Sequence, residues 1–166
     1  MGREVRKVPK DWKHPKDDKG HYIPLYDGSF AEADTDWNIG YAKWQEGLCE
    51  NYGKGEKWEP IPDEYKHMRY TEYHGQRPSP DDYMPQWEEH EKTHYMMYED
   101  TSEGTPISPG FETPEELARW LVDNNASAFG SETASYEGWL RVAKGGFACS
   151  AIMQNGVLQS GVEALK

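Results

Sequence analysis

Hydrophobic periodicity is clearest toward the C-terminal end of the chain. Thr113-Pro114-Glu115-Glu116 has the form of a capping box with proline at the first helical position. Leu117, Trp120, Leu121 and Asn124 follow at i, i+3, i+4 and i+7, one face of a helix. Asp123-Asn124-Asn125 marks its end, and 127–130 reads as a loop with Phe129 as a plug. A second helix is predicted from Ser135, with Tyr136, Trp139, Leu140 and Ala143 on one face. Gly145-Gly146 ends it by supplying positive φ. Two apolar-patterned runs, 147–154 and 157–162, flank Asn155-Gly156, the dipeptide a type I′ hairpin turn favours. The pattern over 113–166 is therefore helix, helix, β-hairpin.

The first 112 residues carry a weaker pattern. Prolines at 9, 15, 24, 60, 62, 78, 80, 85, 106 and 109 each disfavour a helix running through them. Short helices are predicted at 33–46, where Trp37, Tyr41 and Trp44 fall at i, i+4 and i+7, at 62–73 and at 85–94. Residues 93–99 read as an apolar strand, and 5–8 as an edge strand. The fold class these elements predict is α+β. A C-terminal helix–helix–hairpin unit, 113–166, would carry an irregular, Pro- and aromatic-rich region, 1–112, packed on it as one cooperative domain.

Composition sharpens the contrast between the two stretches. Ile, Leu, Val and Phe total 22 of 166 residues, below the roughly 20 % at which high net charge suggests disorder. Yet there are 7 Trp and 11 Tyr, which disordered chains lack. Ten of the 18 Ile/Leu/Val lie in 113–166, while ten of the Tyr and five of the Trp lie before it. The aromatics are therefore expected to serve as core anchors in the first two thirds, each burying roughly 150–250 Å². Net charge is −12, concentrated in 21–112, where seven Lys/Arg face twenty Asp/Glu. That balance argues against a nucleic-acid binder with a broad basic face. No apolar run approaches the ~18 residues of a membrane span, and Met-Gly-Arg-Glu-Val lacks a signal peptide's apolar stretch. Cys49 and Cys149, with no C-x-x-C, read as two reduced thiols.

One local motif points to catalysis. His90-Glu91-Lys92-Thr93-His94 matches H-E-x-x-H. On a helix that spacing presents two His nitrogens to one zinc ion and places the Glu as base on metal-bound water. Glu112, Glu115 or Glu116 could supply a third ligand. A solvated polar helix with a Glu88–Lys92 pair explains the same residues without metal, so no cofactor is expected unless zinc binds here. The remaining histidines, 14, 21, 67 and 74, read as surface or aromatic-packing residues. No nucleotide-binding glycine loop or serine-hydrolase elbow is present. The acidic middle could occupy the basic groove of a nucleic-acid-binding protein by taking the places of phosphates. Trp37, Trp44, Asp81, Asp82, Glu88 and Glu89 are the candidate binding residues for such an interface.

Trp12-Lys-His-Pro-Lys, the run from Met97 to Gly130 (MYEDTSEGTPISPGFETPEELARWLVDNNASAFG) and the terminal SGVEAL resemble a family of small uncharacterised proteins. Members are encoded in bacteriophages, prophages and bacterial mobile elements. The resemblance implies expression in the cytoplasm of an infected bacterium, as an accessory gene; no functional residue carries over from it. The first expectation is an acidic accessory protein that binds, and inhibits, a host protein with a basic surface, such as a defence nuclease. It would touch neither nucleic acid nor membrane directly. The alternatives are a small zinc hydrolase using the H-E-x-x-H segment and a minor virion or DNA-packaging component.

Overall fold

The computed structural model describes residues 2–53, 55–100, 104–154 and 156–164. The elements in chain order are β1 (Gly2–Val8), α1 (Phe30–Gln45), β2 (Leu48–Glu50), β3 (Trp58–Pro60), α2 (Tyr70–Tyr73), β4 (His94–Glu99), β5 (Thr105–Pro106), α3 (Pro114–Asp123), α4 (Tyr136–Gly145), β6 (Phe147–Cys149), β7 (Ala151–Gln154), β8 (Val157–Ser160) and α5 (Gly161–Ala164). The fold is α+β. The chain forms two compact units, one from Met1–Asp27 with Pro85–Lys166 and one from Gly28–Met84. No helix among the described residues is long and apolar enough to cross a membrane.

The first unit is organised by an antiparallel sheet with strand order β5-β4-β1-β6. Alternation along β1 and β4 separates its faces. Val5 and Met97 join Leu117, Leu121, Trp139, Val142 and Val162 in the core built with α3 and α4. Arg6 and Tyr98 face the other way, onto the 9–27 segment. The caps match the sequence pattern. Thr113 Oγ1 accepts from the Glu116 N–H at 3.2 Å, and the Glu116 carboxylate accepts from the Thr113 N–H at 3.2 Å. Asn125 takes φ 49° just past α3, and Gly146 caps α4 at φ 86°. The hairpin forms with Gln154 opposite Val157; Asn155 lies outside the described residues.

The second unit has only three Ile, Leu or Val residues in 57 positions. Its buried centre is Trp44, Cys49, Ile61 and Tyr70, with Trp37, Tyr65, Met68 and Tyr73 packed around it. Ser29 caps α1, and β2 pairs with β3 so that Glu50 lies opposite Trp58. Aromatic rings here do what aliphatic side chains do in the first unit.

Several elements differ from the pattern. The strand at 5–8 is not an edge: β1 lies between β4 and β6. The run 147–154 is two strands, β6 in the large sheet and β7 in the hairpin. Residues 62–73 are mostly turns, with helix only in the four residues of α2. Residues 85–93 contain no helix, only a turn at 89–91, and His94 opens β4 opposite Val8.

Candidate functional site

Tyr70 is the hub of the 28–84 unit. It is 6 % exposed. Its ring centroid lies 5.2 Å from Trp37, 5.9 Å from Tyr41 and 5.9 Å from Trp44, and it stacks on His74 at 5.0 Å. Tilted and edge-to-face pairs of this kind are the favoured aromatic geometries. Gly40, in the middle of α1, lets the ring come this close. A Cβ there would overlap the Tyr70 hydroxyl and lie 3.0 Å from its Cζ. Trp37 and Tyr41, one turn apart, stack at 5.3 Å with planes 6° apart.

The segment 74–78 is strapped to the same helix. The Trp37 indole N–H donates to the Gly75 carbonyl at 3.2 Å. Arg77 forks the Asp34 carboxylate at 2.6 and 3.0 Å, and its guanidinium lies 6.0 Å from the Trp37 ring centroid. The Asn38 amide holds the same carboxylate at 3.1 Å.

These elements enclose a cavity of about 390 Å³, within the size range of small-ligand sites. From α1 it is lined by Asp36, Trp37 and Gly40, and from β2 by Cys49 and Glu50. Tyr52, Lys57 and Trp58 come from the hairpin, and Tyr70, Tyr73 and His74 from α2 and the turn after it. Lys57 Nζ lies 5.4 Å from the Trp58 ring centroid and 3.7 Å from Glu50. Burial, and then the neighbouring Glu50 carboxylate, raise the Tyr52 hydroxyl above its ordinary value. Asp36 has no hydrogen-bond or ion-pair partner among the described residues. Burial pushes the Tyr73 hydroxyl up to about 12, with the neighbouring Cys49 thiol as a further cause. Burial likewise raises Tyr70, helped by Tyr52 and Glu50. Both phenols therefore stay protonated at neutral pH. The lining is mixed: aromatic side chains alternate with Asp36, Glu50, Lys57, His74 and Gln76.

Of the candidate binding residues, Trp37 lines this cavity and Trp44 lies behind it in the core, 8 % exposed, against Tyr70 and Tyr73. Asp81 and Asp82 are exposed on a 3₁₀ turn, Pro80–Asp82, and do not line it. Glu88 and Glu89 belong to the other unit. There, Lys92 pairs with Glu89 rather than Glu88, and this lowers the Glu89 carboxyl pKa. The Glu91 carboxylate accepts from the Glu88 N–H at 2.9 Å, closing the turn. His90 sits in that turn, and His94 Nδ1 is 2.9 Å from Thr93 Oγ1. The helix that would bring His90 and His94 onto one face is not formed, and no group of three His, Cys, Asp or Glu is placed to hold a metal among the described residues. Asp36, Glu50, Tyr52, Trp58, Tyr70 and Tyr73 were not singled out by the sequence. Their only signal is the density of Trp and Tyr over 37–73.

A second polar cluster is buried in the first unit. Arg6, 5 % exposed, donates to the Leu25 carbonyl at 2.7 Å and to Glu4 at 3.1 Å, with its guanidinium carbon 4.4 Å above the Tyr98 ring. His14, 6 % exposed, approaches the Ile23 carbonyl through Nε2 at 2.6 Å, which requires the proton on that nitrogen. Nδ1 of the neutral ring then accepts from the Tyr98 hydroxyl at 3.2 Å, and that hydroxyl accepts from the Trp12 N–H at 3.2 Å. Burial depresses the His14 pKa and pushes Tyr98 up to about 12. Every polar atom of this cluster named here has a partner within the fold, so it serves to fix the 9–27 segment on the sheet. Comparison with protein-family models, curated proteins and solved structures finds no match to the chain.

Proposed function

We propose that this chain acts by binding a protein partner that presents a basic group, and that residues 28–84 do the binding. The observation that carries this reading is the cavity lined by Trp37, Trp58 and Tyr73 beside the Asp36 and Glu50 carboxylates, Asp36 having no ion-pair partner among the described residues. Aromatic anchors are the residues that dominate binding energy at interfaces. The unit's six Lys/Arg against twelve Asp/Glu add long-range attraction for a positive partner. The resemblance to phage-borne accessory proteins directs the search to a nucleic-acid-binding protein of an infected bacterium, inhibited when its basic site is occupied. The test is capture from a bacterial host lysate on the wild-type chain and on an Asp36→Asn/Glu50→Gln variant. A partner retained by the wild type at low salt should be lost from the variant and released at about 0.5 M salt, where charges are screened beyond ~4–5 Å. Identical retention by the two chains, or retention indifferent to salt, would sink the proposal.

A further inference from the structure

A groove of about 530 Å³ lies against α3 in the first unit. Phe111, Trp120 and Tyr136 form its floor, each half-buried and packed against the core. Paired backbone hydrogen bonds to Tyr95, at 2.7 and 2.9 Å, hold Phe111 in place. The exposed Glu115, Glu116, Arg119 and Asp123 line the rest. Two of these four charges are satisfied within the chain. Lys144 pairs with Glu115 at 2.6 Å, and Glu116 closes the capping box with Thr113. Arg119 and Asp123 have no oppositely charged partner among the described residues. They stand one turn apart on α3 and still do not pair: the Arg119 guanidinium lies 4.3 Å from the Tyr136 ring centroid instead. A base four residues before an acid is the less favourable order for such a pair.

The two free charges constrain what covers the groove. Against a uniformly acidic or basic surface, one of them would meet its own sign. A second copy of the same face avoids this. In an isologous contact residue i meets residue j, and j meets i. A two-fold axis across α3 runs the two helices antiparallel, so each Arg119 reaches Asp123 of the second copy. The spacing of the two groups, about 6 Å along the helix axis, is then matched by construction. The aromatic floors close on each other away from water.

We infer that this face of α3 is a self-association surface, on which two copies of the chain pack antiparallel across the groove through two reciprocal Arg119–Asp123 ion pairs. The surface belongs to the first unit and is independent of the binding reading for residues 28–84. Seven side chains line it, far fewer than the roughly 20–30 residues a side of a standard interface, and the net charge of −12 on each copy opposes association. The dimer is therefore weak and reversible, with a Kd of about 10–100 μM.

The test is sedimentation velocity of the full chain from about 5 to about 500 μM in about 0.1 M salt, where charges closer than ~10 Å still act on each other. The wild type should pass reversibly from monomer to dimer. Arg119→Glu and Asp123→Arg each turn both reciprocal contacts into like-charge contacts, and each should weaken the dimer about ten-fold or more. Both positions are exposed, so circular dichroism should show the two variants folded. An equimolar mixture of the two variants should dimerise about as tightly as the wild type, because every contact between unlike variants joins opposite charges again. That rescue separates the ion pairs from any general stickiness of the rings. The inference is overturned by a wild type that stays monomeric up to about 500 μM, or by species larger than a dimer, which a closed two-fold contact does not form. It is equally overturned if either variant alone dimerises like the wild type, or if the mixture stays monomeric.

Discussion

Gly40 sits mid-helix, where alanine is ordinarily favoured by about 1 kcal/mol. The Tyr70 hydroxyl occupies the volume a Cβ would need. Gly40→Ala should therefore destabilise the 28–84 unit by about 1–3 kcal/mol in urea unfolding, the cost of overpacking a well-filled core. Tyr70→Phe removes the nearest atom but leaves Cζ at 3.0 Å. In the Gly40→Ala background it should recover part of the loss, a coupling that a double-mutant cycle measures. A Gly40→Ala chain as stable as the wild type would show that the ring does not press on the helix. At this scale the sequence reveals half of the site. Trp37, Tyr41 and Trp44 stand out because they share one helix face. Tyr70, Glu50 and Asp36 do not, since their convergence depends on a turn, a hairpin and a helix meeting across tens of residues.

Elements were legible where their determinants are local. The box at Thr113 and Glu116, the asparagines after α3 and the glycine after α4 act within a few residues of where they are read. Thr113→Ala should cost about 0.5–2 kcal/mol by the urea midpoint, since the Glu116 N–H loses its acceptor. A value near zero would mean that water replaces the hydroxyl fully. Elements differ from the local pattern where distant pairing decides. Residues 85–94 have a helix-like start at Pro85, yet Glu91 closes a turn on Glu88 and β1 recruits His94 into a strand. The interior place of β1 depends on β4 and on β6, about a hundred and forty residues away along the chain. No local signal at residues 2–8 records that.

Composition and contacts divide the molecule differently. The aliphatic shift falls near 112, whereas the contact units change at 27 and 84. Residues 1–27 and 85–112 therefore share a unit with the aliphatic helices, and the aromatic-cored unit is the stretch between. The Arg6–Tyr98–His14 cluster, which ties 9–27 to the sheet, gives the larger unit a pH signature. Burial first, then Arg6, holds His14 below its ordinary 6.5. The folded chain thus takes that proton less readily than the unfolded one. His14 contributes stability above about pH 6.5, and the contribution is lost as pH falls through the depressed folded value. Glu4 and Asp27 act in the opposite sense, because burial raises both above their ordinary 4.5 and 3.8. Their contribution is full below those values and fades as pH rises through the raised ones, so acidification returns some stability as His14 removes it. The difference between wild type and His14→Gln isolates the histidine, because glutamine can donate to the Ile23 carbonyl and accept from Tyr98 without titrating. Between about pH 7.5 and about pH 5 the urea midpoint of the wild type should fall relative to that of His14→Gln. Parallel curves would mean that the folded chain protonates this ring as easily as the unfolded one, and that the 9–27 segment leaves it open to water.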